Sequence, residues 1–112
     1  MTKPHRKIVV ADMKEFVKEP WRPLVLCSVE DHEIKLALFR GEYFWHKHET
    51  HDEFIFVLDG EVKIEFDDAV EELAAGEGVF IARGTRHRSS SLRGALVLLF
   101  ERENILQDFI RG

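Results

Sequence analysis

The chain has 112 residues, 45% hydrophobic and 11% aromatic, a length for one domain and an apolar content sufficient for a single packed core. Its 16 Lys and Arg against 21 Asp and Glu give a net charge of -5, which excludes a sequence-independent grip on nucleic acid or on an anionic membrane surface. The single cysteine, Cys27, offers neither an internal disulfide nor a thiolate zinc site, and no apolar run approaches the roughly 18 residues of a membrane span, so a soluble cytoplasmic protein is expected.

In chain order, "ADMKEFVKE" has room for two helical turns before Pro20. From residue 24 to residue 100, short apolar runs are separated by turn residues at a spacing of about ten, the signature of an all-β sandwich or barrel. Strands are predicted over Leu24–Val29, Ile34–Arg40, Tyr43–His48, Glu53–Leu58, Glu61–Phe66, Val70–Leu73, Gly78–Ala82, His87–Ser91 and Ala95–Glu101. Asp59-Gly60 suits a tight hairpin that needs positive φ. "ENILQDFI" has room for one or two helical turns at the C-terminus, and no linker, repeat or low-complexity tract divides the chain.

Alternation along the strands carries a second message. In Glu53–Leu58 the two faces are Glu53, Ile55, Val57 and Phe54, Phe56, Leu58, and "LALF" and "ALVLLF" are apolar on both sides as well. A barrel with one core layer leaves such an outer face to be covered by the terminal segments or by a second copy of the chain. The second copy is favoured, and a homodimer is expected.

Six histidines occur, and His46, His48 and His51 lie within six positions of one another. Residues two apart on a strand share a face, so His46 and His48 place two imidazoles about 7 Å apart at the backbone. The loop "ETHD" then reverses the chain and brings Glu53 back toward them. Two nitrogens and a carboxylate suit a borderline divalent ion such as Fe, Mn, Ni, Cu or Zn, whereas calcium takes oxygens and structural zinc usually takes thiolates. The bland alternative is a solvated hairpin whose histidines keep a loop soluble. Against it, the cluster is framed by "YFW" and "FIFVL", a further histidine, His87, sits on a later strand, and several buried unpaired polar groups are costly without an ion.

Neighbouring residues read by the same alternation. With His87 inward, Ser89 and Ser91 point in and Arg86 and Arg88 point out, so Arg83, Arg86, Arg88 and Arg93 form a solvated group and not an anion clamp. Phe44 and Ile55 are expected beside the ligands in a mostly apolar pocket, with Tyr43 and Trp45 on the outer face. Cys27 and His32 have no catalytic context, and the chain carries no nucleophile elbow, phosphate loop or dinucleotide fingerprint.

These residues resemble the two motifs of the cupin superfamily. The first, over residues 41–60, matches in His46-Lys47-His48, four residues, Glu53, six residues and Gly60, with Gly41 one residue closer to His46 than the pattern. The second, over residues 76–91, matches in Gly76, Gly84 and His87, with Ala82 in the proline position and Ser91 in place of asparagine. Fifteen residues, Glu61 to Ala75, separate them, the compact spacing of small microbial single-domain cupins. The resemblance implies an all-β double-stranded β-helix, or jelly roll, over residues 1–112, with short helical segments at the termini. It also implies one divalent transition metal ion held by His46, His48, Glu53 and His87, with one or two positions left open. The motif does not assign His51, which is a loop residue at the barrel mouth or, alternatively, a ligand in place of Glu53 or a base supporting the ligands.

Two functional readings remain open at this point. One is a metal-dependent enzyme acting on a small molecule in the barrel, by dioxygenation, isomerisation or decarboxylation. The other is a non-catalytic metal or small-ligand binding or sensor module, and fold alone does not choose between them.

Overall fold

A computed structural model describes residues 4–103 and 109–112. The N-terminal segment forms a short helix, α1 (Val10–Met13), continued by a 3₁₀ turn over Lys14–Phe16. Nine strands follow: β1 (Leu24–Val29), β2 (His32–Glu42), β3 (His46–His48), β4 (Glu53–Asp59), β5 (Val62–Phe66), β6 (Val70–Leu73), β7 (Gly78–Ile81), β8 (His87–Arg102) and β9 (Phe109–Arg111). All the pairings are antiparallel, and no helix of the described residues is long and apolar enough to cross a membrane.

β8 organises the sheet. Its C-terminal half pairs with β2 on one side and β4 on the other, and β4 pairs onward with β7. Its N-terminal half pairs with β5, which continues to β6, and touches β3 through His46 and His87. Between the halves Gly94 adopts φ +96 and β2 carries an irregularity between Phe39 and Gly41, so one strand serves both walls of a curled sheet. The sequence reading divides this strand at Leu92–Gly94, because Gly94 breaks the apolar run; the strand continues across it.

Inside the curl, Ala37, Phe39, Ile55, Val57, Val62, Ile64, Ala95, Val97 and Leu99 form the main core. Full burial of each aliphatic side chain contributes about 1.5–3 kcal/mol. A second cluster lies on the outer face, where Ile8, Val10, Met13 and Val17 of the N-terminal segment pack on Leu26, Leu36, Leu58, Leu96 and Leu98. The terminal segment, and not a second copy, therefore covers this part of the two-sided strands. Phe80, Phe54 and Phe100, in register across β7, β4 and β8, stay outside that cover.

Three expectations are corrected. Residues 43–45 are not strand: Tyr43 donates its N–H to Ser89 O and the chain crosses over before β3 begins at His46, so alternation does not carry through. Tyr43 consequently faces the cavity, and Phe44 is 48% exposed beneath the Arg111 guanidinium. At the C-terminus, Phe109 and Ile110 of the expected helical stretch belong to β9, paired with β3, while residues 104–108 lie outside the described residues.

The β4–β5 hairpin closes tightly: Gly60 has φ +91, and an added Cβ would lie 2.6 Å from Gly94 O. Gly76 has φ +88 but open space around it. Gly76→Ala is expected to cost about 1–2 kcal/mol from left-handed backbone strain alone. Gly60→Ala should cost clearly more, because the hairpin must also move from β8; urea midpoints of the two variants measure the difference.

Candidate metal centre

Three strand ends converge at one mouth of the curled sheet. His46 and His48 lie on β3 with Lys47 between them facing outward; Glu53 opens β4 and His87 opens β8. His46 and His87 are directly opposite one another across β3 and β8, and all four side chains are buried. The loops of the two sequence motifs interlock: Gly84 donates its N–H to His48 O at 2.6 Å, and Arg83 N–H donates to Asp52 Oδ1 at 2.9 Å. Ser91, in the asparagine position, donates its hydroxyl to Glu61 O at 2.6 Å and ties β8 to the β4–β5 hairpin.

The ring nitrogens are oriented from behind. His46 Nδ1 lies 2.8 Å from Phe44 O and His87 Nδ1 lies 2.9 Å from Thr85 O. A carbonyl only accepts, so Nδ1 carries the proton in each ring and Nε2 is left with its lone pair. His87 Nε2 is buried without a hydrogen-bond partner among the described residues, yet stands 2.9 Å from Glu53 Oε1. Two acceptors this close repel unless a proton or a metal ion lies between them, and with His46 offering a third ligand atom beside the pair the group fits a metal ion. One ligand atom from each of His46, Glu53 and His87 falls within 4.8 Å of the others.

His48 stands beside this group, its ring centroid 5.2 Å from that of His46 and 6.3 Å from that of His87. His51 is buried and stacked on His48 at 5.4 Å, and it is not among the three grouped ligand atoms. Phe109 of β9 stacks on His46 at 4.7 Å and 24°. The sequence reading missed Phe109 because a three-residue edge strand carries too little periodicity to register.

The electrostatics follow from burial. Removal from water holds His46 down to about 4, partly countered by its bond to Phe44 O. Burial opposes charge on Glu53 too, but a cation on the facing His87 nitrogen, a proton where no ion is bound, and a hydrogen bond from Glu101 keep that carboxyl below its ordinary range. Glu101 moves the other way, raised by burial and then by the charge of Glu53.

A cavity of about 290 Å³ opens above these groups. Its walls include Trp21, Phe39, Tyr43, Ile55, Leu99 and Phe109, the apolar lining expected, although Phe44 is not among them. Glu33, Lys35 and Glu101 also line it, and the sequence reading assigned them no role. The signal was present: in "HEIKLALF" and "ALVLLFE" these charged residues share the inward row with Ala37, Phe39, Val97 and Leu99. The arginines behave as the solvated group expected, Arg86 pairing with Asp67 and Arg88 with Glu65 around Trp45.

Comparison with known proteins agrees with this architecture. The chain is 42% identical over 76 residues to Uncharacterized protein YdbB of Bacillus subtilis (strain 168), covering 67% of each. Among solved structures, a cupin-2 domain containing protein from Shewanella frigidimarina NCIMB 400 superposes with a TM-score of 0.83 at 29% identity, over 86% of this chain and 94% of that one. The hydroquinone 1,2-dioxygenase from Sphingomonas sp. TTNP3, solved with 4-hydroxybenzoate bound, shares the fold at a TM-score of 0.68 and 17% identity, over 76% of this chain and 67% of that one. Residues 40–99 match the Cupin_2 family model, described as Cupin domain, and this span runs from the end of β2 into β8. Both motifs and the buried His/Glu/His group fall within this matched segment, and the chain belongs to the cupin family.

Proposed function

We propose that this protein is a single-domain, metal-dependent enzyme acting on a small molecule held in the cavity. His46, Glu53 and His87 are the inner ligands of one divalent transition ion, and His48 is the fourth. The observation that carries the reading is the buried, backbone-oriented Nε2 of His87 set 2.9 Å from a carboxylate oxygen at the foot of a cavity. When bound, the ion supplies Lewis-acid or oxygen-activating chemistry, the basis of the dioxygenase, isomerase and decarboxylase options. The chain's own part is to fix the imidazole tautomers through Phe44 O and Thr85 O, keep Glu53 ionised, and shield the site with aromatic walls. His51, stacked on His48, orients that ring and is not itself a ligand.

Two further parts of the reading concern the assembly and its setting. The unpartnered row Phe54, Phe80 and Phe100, 37%, 63% and 38% exposed, supports a homodimer through the outer face. The net charge of -5 and the single cysteine support a cytoplasmic protein with no nucleic-acid partner.

Metal analysis after dialysis, paired with thermal melts, tests the ligand set. Added ion at 100-fold over its Kd should stabilise the protein by about 2.7 kcal/mol. Glu53→Gln and His87→Ala should weaken binding by more than about 100-fold, His48→Ala by less, and His51→Ala should leave the ion in place. Manganese-loaded protein should relax bulk water protons through its open position; a bound ion without exchangeable water would instead favour the non-catalytic module.

His46 makes one contribution to the pH dependence of the metal-free protein. Its folded value, about 4, lies below the ordinary 6.5. Between these two values the unfolded chain takes up a proton that the native ring refuses, so this contribution to stability falls as pH falls, by up to about 1.4 kcal/mol per pH unit. Above 6.5 both states are neutral at this ring, below 4 both are charged, and the contribution is constant. Glu101, raised by burial, contributes with the opposite sign in wild type and variant alike, so the difference between the denaturant midpoints of wild type and His46→Gln should change only between pH 4 and 6.5.

The dimer predicts a single species of twice the chain mass by light scattering and a monomer on Phe80→Asp, because a buried unpaired carboxylate is costly. A monomeric wild type at high concentration overturns it.

A further inference from the structure

The proposed ion uses one end of the cavity. From the ligand Glu53 two further glutamates lead away across the inner face, Glu101 opposite Glu53 and Glu33 opposite Glu101. Like charges directly opposite on neighbouring strands are destabilising. Lys35 is the cation set beside them, its Nζ 3.0 Å from Glu101 Oε1 and 3.6 Å from Glu33 Oε1. Lys35 is 9% exposed and Glu101 4%. A buried ion pair of this kind is weak evidence of stabilisation, since apolar side chains of similar volume fill such a place at least as well. Both residues line the cavity and neither belongs to the grouped ligand atoms.

The opposite wall is aromatic. Trp21 packs on Phe39 and Tyr43 with ring centroids 4.5 and 4.9 Å away. Its backbone has φ +65, a conformation that costs a bulky residue about 1–3 kcal/mol, held here by a hydrogen bond from its N–H to Leu38 O. In that strained geometry the indole lies on the cavity. A space of about 290 Å³ between aromatic faces and a polar row admits one flat ring.

Charge decides what the ring carries at this end. Lys35 is already shared between Glu101 and Glu33, so no positive charge is spare for an anion. A hydroxyl fits both partners, accepting from Lys35 Nζ and donating to a carboxylate oxygen. We propose that Lys35, with Glu33 and Glu101, is the specificity anchor for an uncharged hydroxyl on a flat, single-ring substrate whose other end faces the ion. The proposal rests on the metal-site reading above.

Calorimetric titration of the fully metal-loaded protein under nitrogen tests it with four probes: 1,4-dihydroxybenzene, phenol, 4-hydroxybenzoate and benzene-1,4-dicarboxylate. The dihydroxy compound should bind about tenfold tighter than phenol, from one added hydrogen bond to a charged group, and 4-hydroxybenzoate, with its carboxylate toward the ion and its hydroxyl on Lys35, should bind tighter than the dicarboxylate, which in either orientation sets a carboxylate against Glu33. Lys35→Met should bring the dihydroxy compound and phenol within about threefold of each other, with phenol affinity and metal content unchanged. Where that variant fails to fold because Glu101 loses its cation, Lys35→Met combined with Glu101→Gln, which keeps a donor for Glu53, carries the same expectation. Equal binding of the dicarboxylate and 4-hydroxybenzoate, a preference that survives loss of Lys35, or no binding of any probe overturns the proposal. Metal content of the same samples separates the failures: protein that takes up no ion overturns both readings, and loaded protein without the preference overturns only this one.

Discussion

The register of β8 against its neighbours is the constraint on which the molecule depends. Its first residue, His87, lies opposite His46 of β3 and Phe66 of β5; near its far end Glu101 lies between Glu33 of β2 and Glu53 of β4. A slip of one residue would turn His87, Ser89, Val97, Leu99 and Glu101 outward together and set Arg88, Leu98 and Phe100 against the core. Apolar burial fixes the register in the middle of the strand, and the polar groups at its two ends are carried into place with it. Packing thus positions the chemistry, and the site is as precise as the core beneath it.

That arrangement carries a local cost. Buried at the mouth of the cavity are two imidazoles with Nδ1 committed to backbone carbonyls, an ionised carboxylate beside one of them, and a second carboxyl in contact with the first. None of these groups contributes the way Ile64 or Val97 does, and the inward row of glutamates opposes folding. The aliphatic core and the covered outer face must offset it. Such local conflict with stability is what functional sites show, since groups chosen for reactivity or recognition are seldom those that pack best.

The two faces of the β7–β4–β8–β2 wall show how finely alternation divides the work. The row Ile81, Glu53, Glu101, Glu33 faces inward, and the adjacent row Phe80, Phe54, Phe100, Ile34 faces away. Further along, the outer face is closed by the N-terminal segment through Val17, Met13 and Val10. The same strands therefore support a polar interior edge, an intramolecular seam and an exposed aromatic patch, separated by a single step along the chain.

The sequence by itself determined the strand content, the inward phase of His46, His48, Glu53 and His87, and the outward phase of Arg86 and Arg88, because each depends on alternation within one continuous run. The two motif spacings were legible for the same reason. Tertiary structure decided what depends on partners distant in the chain: that residues 87–102 form one strand shared by both walls, that Phe109 returns to stack on His46, and that Glu33, Glu101 and Glu53 fall in register. Tyr43 marks the boundary between the two. Its phase could not be read because the strand ends beside it, and only the crossover to β3, held by Ser89 O, turns its ring into the cavity.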